Sequence, residues 1–256
     1  MQPEIHVLGL SLKSFGICFA LGFLGAGAVL QRRLRELGEP GDTAYEITLG
    51  ALVGGIVGSR VYFLIQHWST VKHDLVGAAF SGSGLVWYGG VIGGAIGVII
   101  AAWRRNFLSL RMLDAACLPL ALGYAIGRIG CQVSGDGDYG TRSSLPWAMG
   151  YPHGTTPTPP GVTVHPTPIY ETLAMGLITF ALWQLRDRFR PGVLFALYLI
   201  LAGAERLLVE FIRRNAEVVA GLTGPQLESI GLMIAGAVWV ALAARLGPLR
   251  ARVRAT

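Results

Sequence analysis

The sequence predicts an all-α membrane protein of about seven spanning helices, and three observations lead to this fold class. Hydrophobic residues make up 52% of the 256-residue chain and charged residues only 14%, a low charged share for a soluble domain. The apolar residues fall in runs of about 18 to 23 residues, roughly the length that crosses a hydrocarbon core as helix. The basic residues lie mainly in alternate gaps between those runs. We therefore expect a single transmembrane domain over residues 1–256. The predicted helices cover 12–30, 44–66, 85–103, 112–131, 168–185, 191–213 and 227–245.

The distribution of basic residues predicts the orientation of these helices. Thirteen basic residues follow the first, third, fifth and last runs, and five lie on the other side if every run crosses. Cytoplasmic loops carry the excess of Lys and Arg, so the C-terminus is expected in the cytoplasm and the N-terminus outside. The net charge of +6 therefore reflects topology, and no nucleic-acid partner is predicted. The thirteen are Arg32, Arg33, Arg35, Arg104, Arg105, Arg111, Arg186, Arg188, Arg190, Arg245, Arg250, Arg252 and Arg254; the five are Lys13, Lys72, Arg142, Arg213 and Arg214.

One long segment, residues 132–167, departs from the alternation of helices and short loops. Its many glycines and prolines exclude a spanning helix, and the charge distribution places it outside. A loop of this length is expected to be either functional or disordered. Aromatic and turn residues predict that 135–152 is ordered, whereas the sequence TTPTPPG at 155–161 predicts an extended, looser stretch.

The sequence gives only a weak signal for metal binding. Asp136 and Asp138 at the start of the long loop suggest calcium, but no further carboxylates follow at the spacing of an EF-hand. Three cysteines, an odd number, form neither a disulfide framework nor a paired metal motif. We expect no metal and no cofactor.

Three arginines, Arg60, Arg128 and Arg206, lie inside apolar runs. Ionisable residues in such positions are costly and are usually functional or paired. Each follows the predicted start of its helix by about 16 residues, or about 24 Å of rise, so all three are expected at one depth near the outer head groups. The alternative is that each side chain separately extends to the interface. We expect Arg128 to contact phosphate rather than a structural partner.

The sixth run places an acid between two arginines. Arg206, Glu210 and Arg213 are spaced i, i+4 and i+7, which puts them on one face of a helix. Glu210 is then expected to hold both guanidinium groups for a phosphate, because their planar fork matches phosphate oxygens. An outer-leaflet phospholipid offers such a phosphate. The alternative is an ion-pair ladder that only satisfies its own charges.

Several motifs together resemble the prolipoprotein diacylglyceryl transferase family. The most specific are GRIG at 127–130, which leads into a Gly/Asp/Tyr-rich turn, and RLLVEFIRR at 206–214. HPTPIYE at 165–171, YGGVIGG at 88–94 and GSRVYF at 58–63 resemble further family motifs. The resemblance covers most of the chain, in the same order and with similar spacing.

The resemblance implies a seven-helix enzyme of the bacterial inner membrane that opens toward the outer leaflet. Such an enzyme moves a diacylglyceryl group from phosphatidylglycerol to the lipobox cysteine thiol of a preprolipoprotein. Glycerol phosphate leaves and a thioether remains. The residues expected to be catalytic are Arg128, Arg206, Tyr88, Glu210 and His165. The residues expected to bind substrate are Arg60, Gly89, Gly90, Cys131, Asp136, Gly140, Glu171 and Arg213.

The sequence departs from the family pattern at four positions. Tyr88 stands where the family often has histidine, and Cys131 replaces an asparagine. Asp136 stands where a glutamate is expected, in a turn one residue longer before Gly140, and Phe15 stands in place of a tyrosine.

These departures bear on the base and on the acceptor. Tyrosine, with a pKa near 10, is a poor base unless perturbed, so His165, Asp136 and Glu210 are the candidates for activating the thiol. Phospholipid binding is therefore better supported than the acceptor. The alternatives are a diverged paralogue with another acceptor and a non-catalytic lipid-binding or lipid-moving protein.

Overall fold

The protein is described by a computed structural model that covers residues 1–7, 10–71, 77 and 86–250. Its secondary structure is mostly helical, with two short antiparallel hairpins. The helices are α1 (Ser14–Glu36), α2 (Asp42–Gln66), α3 (Trp68–Val71), α4 (Trp87–Arg104), α5 (Leu110–Ser134), α6 (Thr167–Leu185), α7 (Val193–Glu210) and α8 (Gly224–Arg245). The strands are β1 (Glu4–Val7) with β2 (Leu10–Lys13), and β3 (Glu217–Val219) with β4 (Leu222–Thr223).

Five helices within the described ranges are long and apolar enough to cross a membrane, namely α1, α2, α4, α5 and α8. The chain is therefore an all-α polytopic membrane protein. Helices α6 and α7 cover the two other predicted runs, and α7 carries Glu205, Arg206 and Glu210 within its 18 residues. The start of the predicted run 85–103 and the basic residues Lys72, Arg252 and Arg254 lie outside the described residues.

Several helix ends differ from the predicted ones, and α1 continues to Glu36 instead of ending at residue 30. Helix α5 continues to Ser134, so the long connection begins at Gly135, whose φ of +59° ends the helix. Helix α7 ends at Glu210 rather than at residue 213. The carbonyl of Ile212 accepts a hydrogen bond from the amide of Thr141 in the long connection, at 2.8 Å. Beyond Glu210, the amides of Ile212 and Arg213 donate to carbonyls three residues earlier, so the chain leaves the α-helix in a tighter turn.

The chain divides into two compact units. The first contains Met1–Ala26 and Leu113–Thr256, and the second contains Gly27–Met112. The main helices of the first unit are α5 to α8, and those of the second unit are α2 and α4.

Glycines join α2 and α4 within the second unit. A β-carbon on Gly54 would lie 2.3 Å from the carbonyl oxygen of Gly93, and one on Gly97 would lie 2.0 Å from that of Gly50. Only glycine permits this approach of two backbones, as the four-residue spacing of small residues predicts. Gly89, which was also expected to bind substrate, packs in the same way against Gly58.

Asp114 fixes the register of α5 and α7 in the first unit. Its carboxylate accepts hydrogen bonds from the amides of Gly192, at 2.7 Å, and Phe195, at 2.9 Å, which are unpaired groups at the start of α7. Arg128 follows Asp114 by the same number of residues as Arg206 follows Gly192, and the corresponding rise is about 21 Å. The two arginines therefore lie at the same level on neighbouring parallel helices.

The connection between α5 and α6 is ordered by a small core. The rings of Tyr139 and Tyr151 stack with centroids 4.7 Å apart and are buried beside Val164. The expectation that 155–161 would be loose is wrong. The amide of Thr155 donates to the carbonyl of Ser134 at 2.9 Å, and the buried hydroxyl of Thr158 accepts from the amide of Tyr151 at 2.8 Å.

Candidate functional site

Arg128 lies near the end of α5 and contacts several polar side chains, three of them through oxygen atoms. Its Nη1 donates to Asp138, and its Nη2 donates to the Tyr124 hydroxyl at 3.1 Å and lies 3.3 Å from Oε1 of Glu171. The guanidinium also lies 4.9 Å from the ring centroid of Tyr124. The expectation that Arg128 would lack a structural partner is wrong, because a buried guanidinium requires a counter-charge.

Glu171, in the second turn of α6, is the carboxylate that all three arginines of the site share. Its side chain is 0% exposed, and its Oε1 accepts from the Tyr124 hydroxyl at 2.7 Å. The same oxygen lies 3.1 Å from Nη1 of Arg206, and Oε2 lies 3.3 Å from Nη1 of Arg213. Glu171 was expected to bind substrate. The structure gives it the additional task of holding the arginines together.

Glu210 pairs closely with one arginine and only distantly with the other. Its Oε2 lies 3.1 Å from Nη2 of Arg206 but 4.0 Å from Nε of Arg213. Asn215, at 2.7 Å, and Thr223, at 2.8 Å, donate to Oε1. The prediction that Arg206, Glu210 and Arg213 share a helix face is wrong for Arg213, which follows the end of α7.

Asp138 completes the group by joining two of the arginines. Its Oδ2 pairs with Nη1 of Arg128 and its Oδ1 with Nη2 of Arg213. Burial opposes ionisation of this carboxyl, but the charges of Arg128 and Arg213 outweigh it and hold the pKa of Asp138 below its usual value. We call Arg128, Arg206, Arg213, Asp138, Glu171 and Glu210 the arginine cluster.

Asp136, which was expected to bind substrate, is hydrogen-bonded to the backbone of its own turn and to Cys131. Its Oδ1 accepts from the amide of Asp138 at 3.2 Å, as in an Asx turn. Burial raises the pKa of the Asp136 carboxyl and outweighs the opposing hydrogen bond with Cys131. The longer turn thus presents Asp138 to the arginines, and Asp136 supports that turn. A substrate contact of Asp136 stays a prediction.

Cys131, one turn after the GRIG arginine, lies beside these two carboxylates. Its Sγ is 3.7 Å from Oδ2 of Asp138 and 3.7 Å from Nη1 of Arg128. Metal-ligand atoms of Cys131, Asp136 and Asp138 lie within 4.8 Å of one another. The charge of Asp138 is already paired with two arginines, which makes this set a poor donor group for a cation. The absence of a metal stays a prediction.

His165 and Gly140 lie where the long connection meets α6. The amide of Gly140 donates to the carbonyl of His165 at 2.8 Å, and Nδ1 of His165 lies 3.3 Å from the Tyr170 hydroxyl. A β-carbon on Gly140 would lie 2.5 Å from the carbonyl oxygen of Ile212. Gly140 therefore allows the loop to pack against the end of α7. Direct contacts of His165 and Gly140 with substrate stay predictions.

The other predicted site residues belong to the second unit. Arg60 lies in α2, with its guanidinium 5.8 Å from the ring centroid of Phe63. Tyr88, Gly89 and Gly90 lie in the first turn of α4, where Tyr88 is exposed. The roles of these four predicted residues stay predictions.

The arginine cluster has the composition of an anion site. Three guanidinium groups, which have fifteen N–H donors in total, face three carboxylates. The three arginines are carried by α5, by α7 and by the segment that follows α7, and Glu171 is carried by α6. Guanidinium groups bind phosphate in the same planar geometry as carboxylate. Asp138, whose side chain is 34% exposed, is the accessible carboxylate, whereas those of Glu171 and Glu210 are 0% exposed.

Three polar residues of the cluster region received little weight from the sequence alone. Asp138 was noticed only as part of a calcium-like turn, and Tyr124 gave no signal beyond its position one helical turn before Arg128. Glu205, adjacent to Arg206, carried no predicted role. The usable signal was the presence of polar residues one turn from, or next to, an intramembrane arginine.

Known proteins are similar to this chain over most of its length. The profile of the family described as prolipoprotein diacylglyceryl transferase matches residues 3–242. A phosphatidylglycerol–prolipoprotein diacylglyceryl transferase of Clostridium tetani is 33% identical over 83% of this chain and 86% of its own length. One of Finegoldia magna is 34% identical over 93% of each chain, and one of Clostridium perfringens is 30% identical over 90% of this chain and 91% of its own length. The chain belongs to the prolipoprotein diacylglyceryl transferase family.

Proposed function

We propose that this protein is a phosphatidylglycerol–prolipoprotein diacylglyceryl transferase of the bacterial inner membrane. The names of relatives that match 83% and 93% of the chain support phosphatidylglycerol and a preprolipoprotein as the substrate pair. The observation that carries the proposal is the convergence of Arg128, Arg206 and Arg213 on the buried carboxylate of Glu171. Such a convergence provides a preorganised site for one phosphate.

The phosphate of the lipid enters the cluster from the side of Asp138. This carboxylate bridges Arg128 and Arg213, and it is the accessible one of the three. A phosphodiester has the same charge as the carboxylate and offers two oxygens to the same pair of guanidinium groups. Glu171 keeps the arginines in position during this exchange because it is fully buried between them.

The reaction joins a thiol to the diacylglyceryl carbon. The lipobox thiol loses its proton, the sulfur forms a bond to that carbon, and the bond from the carbon to the phosphate oxygen breaks. Glycerol phosphate leaves with the bonding electrons. Negative charge grows on the phosphate as this bond breaks, and the arginines stabilise it because they are fixed in place before the reaction.

The proton of the thiol requires an acceptor, and three candidates remain. His165 is hydrogen-bonded to Tyr170, Asp136 lies beside the cluster, and Glu210 is buried with both Asn215 and Thr223 as donors. An ordinary cysteine has a pKa near 8.5, so only modest activation is needed. Tyr88 is proposed to position lipid through its hydroxyl.

The membrane arrangement is part of the same proposal. All seven predicted runs cross the bilayer in one domain, with the N-terminus outside and the C-terminus in the cytoplasm. The excess of basic residues in alternate loops supports this orientation. The long connection between α5 and α6 then lies outside, where lipobox segments of exported proteins are presented.

A reconstituted reaction tests the proposal. Purified protein is incubated with phosphatidylglycerol and a synthetic lipobox peptide, and mass spectrometry records the peptide. The expected product carries one diacylglyceryl group on its cysteine, and one glycerol phosphate is released for each. A matched peptide with serine in place of that cysteine should remain unmodified.

Arg128→Lys provides the matched protein control for this reaction. One ammonium cannot reach Asp138, Tyr124 and Glu171 with the geometry of a guanidinium fork, and misplacement by about 1 Å can cost on the order of 100-fold in rate. Folded wild-type protein that binds phosphatidylglycerol without modifying the peptide would contradict the proposal. It would favour another acceptor or a non-catalytic lipid-binding role.

A further inference from the structure

Glu205 is a fourth carboxyl group beside the arginine cluster, and it has no role in the reaction as proposed so far. It lies in α7 immediately before Arg206, and the residue is 7% exposed. Its Oε1 is buried and has no hydrogen-bond partner among the described residues. Buried polar oxygens are nearly always hydrogen-bonded, so this one requires an explanation.

The surroundings of Glu205 disfavour a negative charge. Glu171, which is paired with three arginines, repels a second carboxylate, and Arg128 and Arg206 are already neutralised by other acids. Arg213 and the Tyr124 hydroxyl are the remaining ionisable groups within electrostatic range.

Helix α8 packs closely against α7 near this point of the chain. At Gly203, two residues before Glu205, the nearest groups of α8 are the carbonyl of Ser229 and the side chains of Leu232 and Met233. A buried carboxylate whose oxygen lacks a hydrogen bond takes up a proton instead of remaining charged.

The charge balance of the cluster leads to the same state. Its three arginines are matched by three carboxylates, so the cluster is neutral when Glu205 is protonated and carries one negative charge when Glu205 is ionised. An anionic lipid phosphate must bind in this field. The protonated form of Glu205 therefore favours binding, and the ionised form opposes it.

We propose that Glu205 is a positioning residue whose neutral carboxylic acid sets the affinity of the arginine cluster for the lipid phosphate. The proposal rests on the proposed function, because it deepens the description of the same phosphate site. Glu205 does not transfer a proton to substrate. It acts through the charge that the three arginines present, so its ionisation raises the KM for phosphatidylglycerol and, because negative charge grows on the phosphate during the reaction, also lowers kcat at alkaline pH.

The test compares pH profiles of wild-type protein and Glu205→Gln in lipid nanodiscs with a fixed lipobox peptide. Glutamine has nearly the shape of the protonated acid but cannot ionise. Between about pH 6 and about pH 9, the KM of wild-type protein for phosphatidylglycerol should rise about tenfold, the effect of one added charge at roughly 10 Å. In Glu205→Gln, the KM for phosphatidylglycerol should be nearly the same at the two ends of this pH range. Titration of the peptide thiol affects both proteins equally.

Two further variants complete the design. Glu217→Gln removes an exposed carboxyl in β3 and should keep the wild-type pH dependence. Glu205→Met is a second neutral replacement of similar length, and its KM for phosphatidylglycerol should likewise not rise at alkaline pH. It keeps the test decisive if Glu205→Gln does not fold. Thermal unfolding in the nanodisc shows which variants are folded.

Binding of fluorescent phosphatidylglycerol at the same pH values separates this inference from the transfer reaction. Loss of the pH dependence of binding in Glu205→Gln supports the inference even if no lipidated peptide forms. A wild-type pH profile in the folded neutral variants overturns it. So does a fall in kcat at every pH with an unchanged KM, which would identify Glu205 as a proton-transfer group.

Discussion

Asp138 and Asp136 show how two like residues in one turn can have opposite electrostatic roles. Asp138 is ionised against Arg128 and Arg213, whereas Asp136 is partly buried and supports the backbone of the turn. The pKa of Asp138 is below its usual value and that of Asp136 is above it. The difference comes from which side chain reaches the arginines.

Replacement of each aspartate by asparagine should therefore affect stability differently. Asp138→Asn should lower the free energy of unfolding at neutral pH by about 1–2 kcal/mol, a value that allows for the partial exposure of the side chain. Because the folded-state pKa is depressed, this contribution is present above the ordinary pKa of about 3.9 and is lost as pH falls through the lower folded value.

Asp136→Asn is the matched control for this prediction. Its folded-state pKa is raised, so its ionisation at neutral pH opposes folding, and the asparagine variant should unfold at the same temperature or higher. Thermal unfolding of both variants and wild-type protein between about pH 3 and about pH 7 gives the comparison. Greater damage from Asp136→Asn at neutral pH would show that Asp136 holds the arginines.

Sequence reasoning at the residue scale identified the cations better than their partners. Arg128 and Arg206 were predictable because charged residues inside apolar runs are rare. The sharing of Glu171 was not predictable, because it depends on how the long connection and α6 approach α5 and α7. Glu210 was expected to join the arginines, and that role belongs mainly to Glu171.

At the scale of elements, the glycines of α2 and α4 provide a sharp test of helix packing. Gly54→Ala places a methyl group 2.3 Å from the Gly93 carbonyl, whereas Gly55→Ala places it 3.5 Å from the Gly90 carbonyl, an ordinary contact. Gly54→Ala should cost about 1–3 kcal/mol of stability, as overpacking does. The neighbouring Gly55→Ala should change it by no more than about 0.5 kcal/mol.

Thermal unfolding in detergent or nanodiscs checks the pair of glycine variants. Both substitutions raise helix propensity equally, so the difference between them isolates packing. Equal unfolding temperatures for the two variants would mean that α2 and α4 do not approach each other at Gly54 as described.

Helix positions were predictable and helix ends were less so. Apolar length alone located every long helix of the described residues, because a spanning segment must be continuous and apolar. The end of α7 at Glu210 is accompanied by a hydrogen bond between Thr141 and Ile212, which are distant in sequence. The order of residues 155–161 likewise depends on contacts with Ser134 and Tyr151.

At the scale of the whole molecule, the orientation is tested by labelling two exposed prolines. In a background without Cys18, Cys117 and Cys131, cysteine at position 40 should lie in the cytoplasm and cysteine at position 159 outside, as the basic residues predict. A membrane-impermeant maleimide should label Pro159→Cys in intact cells and Pro40→Cys only after permeabilisation. The reverse labelling pattern would place the arginine cluster at the cytoplasmic face of the membrane, where it could not meet exported substrates.

The central claim is that the arginine cluster binds the phosphate of the lipid substrate. An experimental structure with a non-reactive phosphatidylglycerol analogue tests it most directly. Phosphate oxygens should lie within about 3 Å of the guanidinium groups of at least two of Arg128, Arg206 and Arg213, with the Asp138 carboxylate displaced and Glu171 still in place. A phosphate bound elsewhere, with Asp138 still bridging Arg128 and Arg213, would contradict it.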